Sequence, residues 1–331
     1  MSQIILNAVG NLPESATLVT DPDLTLGAND VLVALEVANI NPGDFLYAVG
    51  WYGVPPTVGN RLGNEGVGRI VEAGSAVDSA LVGRRVIILP NTEQGTWADQ
   101  VVVSANNVVF VGEEGDAVQL AQLSVNPFTA HTLLTKFGSL EQGDWVGQTI
   151  GNSAVGQYVI KLAKRAGYKT LSVVRSEKAG EQVRAAGGDL VVIAGENLAA
   201  RVAEALGGQQ LSLALDGEGG ATIGELAQSL EFGGTVVAYS STTGAPQAIG
   251  VADVIYRNIK LEGWWIVNAL RQTSRAELEA TYAELAALVA TGEISSAVDA
   301  TYALSDYREA LTRASATGRS GKVLFSFDSA K

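Results

Sequence analysis

Apolar and polar positions alternate in two different ways along this chain, and the texture changes near residue 120. Before that point apolar residues come in short stretches: "IILNAVG", "DVLVALEVANINPGD", "GVGRIVEAG", "GRRVIILP" and "WADQVVVSANNVVFVG". The alternation from Val31 to Val37 and β-branched runs such as Val101, Val102 and Val103 predict strands. Gly and Pro interrupt these runs at short intervals, which predicts a small, mostly antiparallel barrel. After residue 120, strand-like runs alternate with helical ones. The strands are predicted at 144–150, 169–174, 189–193, 211–216, 234–240 and 259–266. Between the first two, Val155, Tyr158, Val159, Leu162 and Ala166 recur at helical spacing, and Gly167 closes the helix. Such alternation predicts a parallel sheet covered on both faces. The strand at 259–266 would place Trp264 and Trp265 on opposite sides. The tail carries a helix in "RAELEATYAELAALVATG", then "YALSDYREALTRA" and a strand-like "GKVLFSF". That tail is expected to return to the N-terminal domain. The expected division is 1–120 with about 271–331, and 121–270 between them.

Composition narrows the chemistry. Of 331 residues 17% are charged, below the about 25% usual in soluble domains, so well-filled cores are expected and disorder is not. There is no cysteine and one histidine, His131. Disulfides, iron–sulfur clusters, thiolate nucleophiles and the usual His/Cys zinc sites are therefore excluded. Chemistry is expected to rest on an organic cofactor. No Lys or Arg precedes Arg61, and no apolar run is long enough to span a bilayer, so a cytoplasmic location is expected, without a membrane partner.

The formal net charge is −13. Residues 1–120 hold 4 basic and 14 acidic side chains, whereas residues 156–184 hold 7 basic and 2 acidic ones. An acidic chain argues against nucleic acid as a partner. The basic stretch is either a solvated helix face or an anion site.

What surrounds that stretch bears on the choice. "TIGNSAVGQYVIKLAKRAG" follows an apolar strand and opens a helix, with Gly151, Ser153 and Gly156 at the spacing of G-x-G-x-x-G and serine in the middle. Such a turn lets the backbone of Gly151, Asn152, Ser153, Ala154, Val155 and Gly156 approach a pyrophosphate, with helix N–H groups pointed at it. In this reading Gly151 takes the tight turn, Gly156 permits close packing and Ser153 adds a hydroxyl donor. An ordinary tight strand-to-helix turn is the alternative. The next strand ends at Arg175, followed by Ser176 and Lys178. An NAD site would place a carboxylate there, whereas cations and a hydroxyl suit a 2′-phosphate. NADPH is the expected cofactor, with Glu177 the one contrary residue.

With these residues in view, the chain resembles the medium-chain dehydrogenase/reductase superfamily, in its zinc-free quinone-reductase-like branch. The resemblance covers nearly the whole chain and includes "NPGDFLYAVGWYG", "GNEGVGRIVEAG", "NPFTAHTLL", "AAGGD" and "GRSGKVLF". Zinc-dependent members carry a histidine before the Glu-Gly of "GNEG"; here that residue is Asn64. The resemblance implies an α/β fold: a Rossmann-type doubly wound parallel sheet and an N-terminal GroES-like, mostly antiparallel β-barrel. "GWYGVPP", "VNPFTAHTLL" and "IKLEGWWI" are most similar to 2-enoyl thioester reductases, the mitochondrial-type enzymes of fatty-acid synthesis. Gly53 stands where that group usually has proline, and His131 where a tyrosine is common.

That likeness implies NADPH-dependent reduction of enoyl-CoA or enoyl-ACP, with Tyr52 as proton donor and Trp265 at the substrate; either Trp264 or Trp265 lines the acyl pocket. Thr129 is implied as a nicotinamide neighbour. Asn41 and Asp44 either hold substrate and cofactor by hydrogen bonds or serve the turn around Pro42 and Gly43. Tyr52 is otherwise a rim tyrosine, Thr129 a helix-start residue and His131 a packing residue. Glu65 is expected to be a buried, paired carboxylate that supports the site. A homodimer is implied, and no metal. The alternatives are an NADPH:quinone or α,β-unsaturated carbonyl reductase on the same fold, and a non-catalytic NADPH-binding protein.

Overall fold

A computed structural model describes residues 1–90 and 95–327, and the chain divides into two compact units. One is Met1–Val125 with Thr273–Lys331, the other Asn126–Gln272.

Seven strands come first: β1 (Ser2–Leu6), β2 (Ala16–Thr20), β3 (Asp30–Asn39), β4 (Gly66–Ala73), β5 (Arg85–Ile88), β6 (Gln100–Ser104) and β7 (Val108–Phe110). Strand β3 organises the unit. Its alternation buries Val31, Val33, Leu35 and Val37, and the first three meet Ile70, Val86, Ile88, Val101 and Val103 from its neighbours in one core. β4 pairs antiparallel along one edge of β3, and β6 pairs with the first half of the other edge.

The second unit contributes β8 (Trp145–Thr149), β9 (Lys169–Val174), β10 (Leu190–Ile193), β11 (Leu211–Asp216), β12 (Leu230–Ala238) and β13 (Lys260–Gly263). All pair in parallel, in the order β10-β9-β8-β11-β12-β13. The chain starts at β8, winds one way to β10 and then the other way to β13. The switch point therefore lies between β8 and β11, where α/β sheets bind ligands beyond the strand ends. Helix Ala154–Ala166 buries Tyr158, Val159, Ile160, Leu162 and Ala163 and stops at Gly167, whose φ of 81° closes the C-terminus. Its first and last turns depart from the expected stripe: Val155 is half-buried and Ala166 is exposed.

The strand expected at 259–266 is shorter than its apolar run. β13 ends at Gly263, Trp264 N donates the final bond to the Ala238 carbonyl, and helix Ile266–Gln272 follows. Trp264 and Trp265 thus occupy the corner between strand and helix, both half-buried, and strand alternation does not govern them.

The tail supplies helix Arg275–Ala290, β14 (Val298–Tyr302), helix Tyr307–Ser315 and β15 (Lys322–Ser326). β15 pairs antiparallel with Val37, Ala38 and Asn39 of β3, completing the edge that β6 leaves open. Phe325 meets Trp97 edge-on at 5.6 Å in a second core that includes Ile4, Leu6, Tyr47 and Leu311. No helix among the described residues is long and apolar enough to cross a membrane.

Candidate active site

In the parallel-sheet unit, the Gly151–Gly156 segment forms the turn after β8. Its left-handed residue is Ile150, with φ of 44°. A β-branched residue there is strained and is held only by its surroundings. Gly151 is needed for space: a Cβ would lie 2.5 Å from Ser172 on β9. At Gly156 a Cβ would lie 2.5 Å from the Gly151 carbonyl oxygen, so only glycine lets the helix start sit against the turn. Ser153 caps that helix, its Oγ accepting from Gly156 N at 3.1 Å, which leaves its O–H able to act as a donor as well. Buried Gln148 donates to the Gly156 carbonyl at 3.2 Å and to Ser172 Oγ at 3.0 Å, tying the turn to β8 and β9. Asn152 donates to Gln182 at 3.1 Å. The cap leaves the first-turn N–H groups of Ala154 and Val155 without intrahelical acceptors. Gly151 and Gly156 leave room against the backbone, so this donor set fits a pyrophosphate.

Beside the turn, Arg175 stands exposed one residue past β9. Ser176 caps helix Glu177–Ala185, its Oγ accepting from Ala179 N at 3.3 Å, and Lys178 is exposed in the first turn. The contrary Glu177 pairs with Arg184. The donors that remain fit a phosphate monoester.

Sequence reasoning overlooked Asp216, which closes β11 across the switch point. Fully buried, it accepts from Thr149 Oγ1 at 2.8 Å, Glu218 N at 3.0 Å, Gly219 N at 3.1 Å and Gln247 Nε2 at 3.3 Å. Its only sequence signal is a carboxylate ending the apolar run "LSLALD". Burial pushes the Glu218 carboxyl up, and Arg175 acts in the opposite direction. Thr129 is buried and His131 half-buried on helix Asn126–Lys136. Trp264 Nε1 is buried without an acceptor among the described residues.

The other unit holds Asn41, Asp44, Tyr52 and Glu65 around helix Pro42–Ala48. Asn41 is its N-cap, and Asp44 reaches back to Asn41 N at 2.7 Å, the capping-box arrangement. The other Asp44 oxygen accepts from Asn64 Nδ2 at 2.7 Å. Glu65 is fully buried and accepts from Asn39 at 2.6 Å, Asn41 at 2.7 Å, Val125 N at 2.8 Å and Ser124 at 3.1 Å. So many donors make Glu65 a structural knot, since each acceptor site that a base would use is engaged.

Lys322 of β15, also missed, donates to Asn41 Oδ1 at 2.5 Å. Burial pushes its ammonium down to about 8, opposed by the Glu65 carboxylate. Burial likewise pushes Asp44 up to about 7 and raises Glu65. Tyr52 is half-buried on the core that holds Tyr47 and Phe325, its ring over Gly43. Gly53 has a φ of 82°, a conformation closed to the proline usual in the similar group.

With this geometry in hand, comparison with known proteins is decisive at the level of family. The chain is 30% identical over 322 residues to the mitochondrial enoyl-[acyl-carrier-protein] reductase of Dictyostelium discoideum, spanning 94% of this chain and 91% of that one. It is 33% identical over 319 residues to the Caenorhabditis elegans protein of that name, with the same coverage. Residues 27–113 match the alcohol dehydrogenase GroES-like domain, and residues 154–287 match the zinc-binding dehydrogenase family. The chain belongs to the medium-chain dehydrogenase/reductase superfamily.

As a member of this superfamily it is an oxidoreductase with a GroES-like domain and a Rossmann-type sheet. Among solved structures it resembles a putative NADPH:quinone reductase from Bacillus thuringiensis, with a TM-score of 0.91 at 26% identity over 98% of both chains. A mitochondrial 2-enoyl thioester reductase heterodimer from Candida tropicalis shares the fold, with a TM-score of 0.83 at 23% identity over 98% of this chain and 99% of that one. Despite the description of the matched family, no group of three or more His, Cys, Asp and Glu among the described residues is arranged to hold a metal ion. Asn64, at the position of the zinc-branch histidine, instead donates to Asp44.

Proposed function

We propose that this protein reduces the C=C bond of 2-enoyl thioesters with NADPH, placing hydride on the β-carbon and a proton on the α-carbon. The observation that carries this reading is identity of 30–33% to mitochondrial enoyl-[acyl-carrier-protein] reductases across 94% of the chain. A nicotinamide, when bound, supplies the hydride. The Gly151–Gly156 turn and the N–H groups of Ala154 and Val155 hold the pyrophosphate. Arg175, Ser176 and Lys178 hold the 2′-phosphate, and Thr129 lies beside the nicotinamide. Tyr52 delivers the α-proton, since a phenol is a hydroxyl donor suited to an enolate. Asn41 and Asp44 fix the helix start beneath it, and Trp264 or Trp265 lines the acyl side. Self-association through the outer edge of β13 accompanies this reading.

Quinone reduction is the second reading, favoured by the likeness to the Bacillus thuringiensis structure. A quinone takes its protons on oxygen, where water exchanges them freely, and needs no positioned donor. Tyr52→Phe therefore separates the readings. We expect kcat on crotonyl-CoA to fall by about 10²-fold, with NADPH affinity unchanged by direct titration. An unchanged kcat would remove the role of Tyr52. Arg175→Ala should raise the KM for NADPH by roughly tenfold and leave that for NADH unchanged; equal losses for both would exclude a 2′-phosphate contact.

A further inference from the structure

We infer that Gly43 is a positioning residue for Tyr52, glycine at this place because the tyrosine ring occupies the volume of a side chain. The inference rests on the proposed role of Tyr52. Gly43 is the second residue of helix Pro42–Ala48, where alanine would favour the helix over glycine. Its φ lies outside the left-handed region, so its backbone does not require glycine. Space does. A Cβ on Gly43 would stand 2.8 Å from Tyr52 Cε2, 3.1 Å from Cζ and 3.3 Å from the hydroxyl oxygen. The first distance is below any carbon–carbon contact that packing tolerates, so a partner must move.

The helix start cannot be the one that yields. Asn41 is held by Lys322 at 2.5 Å and Glu65 at 2.7 Å, and Asp44 by Asn41 N and Asn64, each at 2.7 Å. These bonds are buried, and breaking them strands charged or polar groups out of water. The ring cannot move inward either, because Tyr52 packs on the core formed by Ile4, Leu6, Tyr47 and Phe325. The remaining direction is outward, along the loop that turns at Gly53 with its φ of 82°. A side chain at position 43 would thus displace the phenol hydroxyl while leaving the fold intact. The buried network reaches the proton donor through this contact: Lys322 fixes Asn41, Asn41 fixes the helix start, and Gly43 is the floor on which Tyr52 rests.

The test is a pair of double-mutant cycles. Gly43→Ala should lower kcat on crotonyl-CoA by about 10- to 100-fold, with the KM for NADPH unchanged. The same substitution in a Tyr52→Phe background should lower kcat no further, since there is no hydroxyl left to misplace. Thermal unfolding supplies a readout free of catalysis. Gly43→Ala should lower Tm in the wild type and in Tyr52→Phe, which keeps the ring, and should leave Tm level or raise it in Tyr52→Ala. An equal Tm shift in all three backgrounds would overturn the seat. A further fall in kcat on the Tyr52→Phe background would overturn the positioning role. Wild-type kcat in Tyr52→Phe alone would instead overturn the proton-donor reading, while the Tm cycle would still report whether the ring rests on Gly43.

Discussion

A carboxylate taken out of water must find donors or accept its proton, and Asp44 does some of both. Two donors hold its oxygens, yet full burial still pushes it up to about 7 from the ordinary 3.8. Between those values the native state binds more protons at Asp44 than the unfolded chain does, so stability falls as pH rises through that window. Lys322, pushed down to about 8 from 10.5, has the opposite sign, and its contribution recovers above pH 8. Urea unfolding of the wild type should therefore show a loss between about pH 5 and pH 7.5, on the order of 1–3 kcal/mol. Asp44→Asn should flatten part of that slope, with Glu65 retaining the rest. The variant will be less stable throughout, because an amide offers one acceptor where a carboxylate offers two, so the slope is the readout. An identical slope in both proteins would contradict the raised Asp44. Asn41 and Asp44 were legible in the sequence as candidates because "NINPGD" is turn chemistry. Lys322 was not, since its partner lies 281 positions away and only its place within an apolar run hints at burial.

At the scale of elements, the parallel sheet was readable because strand-like runs alternate with helical ones, and most of those strands carry an apolar run closed by a polar or glycine residue. The pattern overran at Trp264 and Trp265, where aromatic residues prolong the run although the ladder stops at Gly263. The turn at 150–156 was recognisable by spacing, but not which residue takes the left-handed conformation. That falls to Ile150, while Gly151 is required for space against Ser172. β13 ends the sheet order with every residue exposed, Leu261 at 51%, and the preceding helix exposes Ile255 and Tyr256 at 63% and 76%. An open edge flanked by apolar side chains is a template for pairing. Sedimentation should show the wild type as a dimer at micromolar concentration and Leu261→Glu as a monomer with unchanged circular dichroism. A monomeric wild type would dismiss this edge as an interface.

For the whole molecule, composition set the chemical limits before any motif was read. With no cysteine and a single histidine, the chain lacks the usual zinc ligands even though its second unit matches a family described as zinc-binding dehydrogenase. The net charge of −13 hides a basic stretch that follows the Gly151–Gly156 turn, and the structure places Arg175 and Lys178 of that stretch at exposed positions past β9. Fold and family follow from patterns that span hundreds of residues. Substrate choice, in the proposed function, rests on a few side chains, Tyr52 and a tryptophan of the Trp264–Trp265 pair among them, whose neighbours in space no local pattern reveals. The direct test of the central claim is NADPH oxidation assayed with crotonyl-CoA beside 1,4-benzoquinone, repeated with NADH. The account predicts faster turnover of crotonyl-CoA than of the quinone, and faster with NADPH than with NADH. Strong quinone turnover with none on crotonyl-CoA would contradict it.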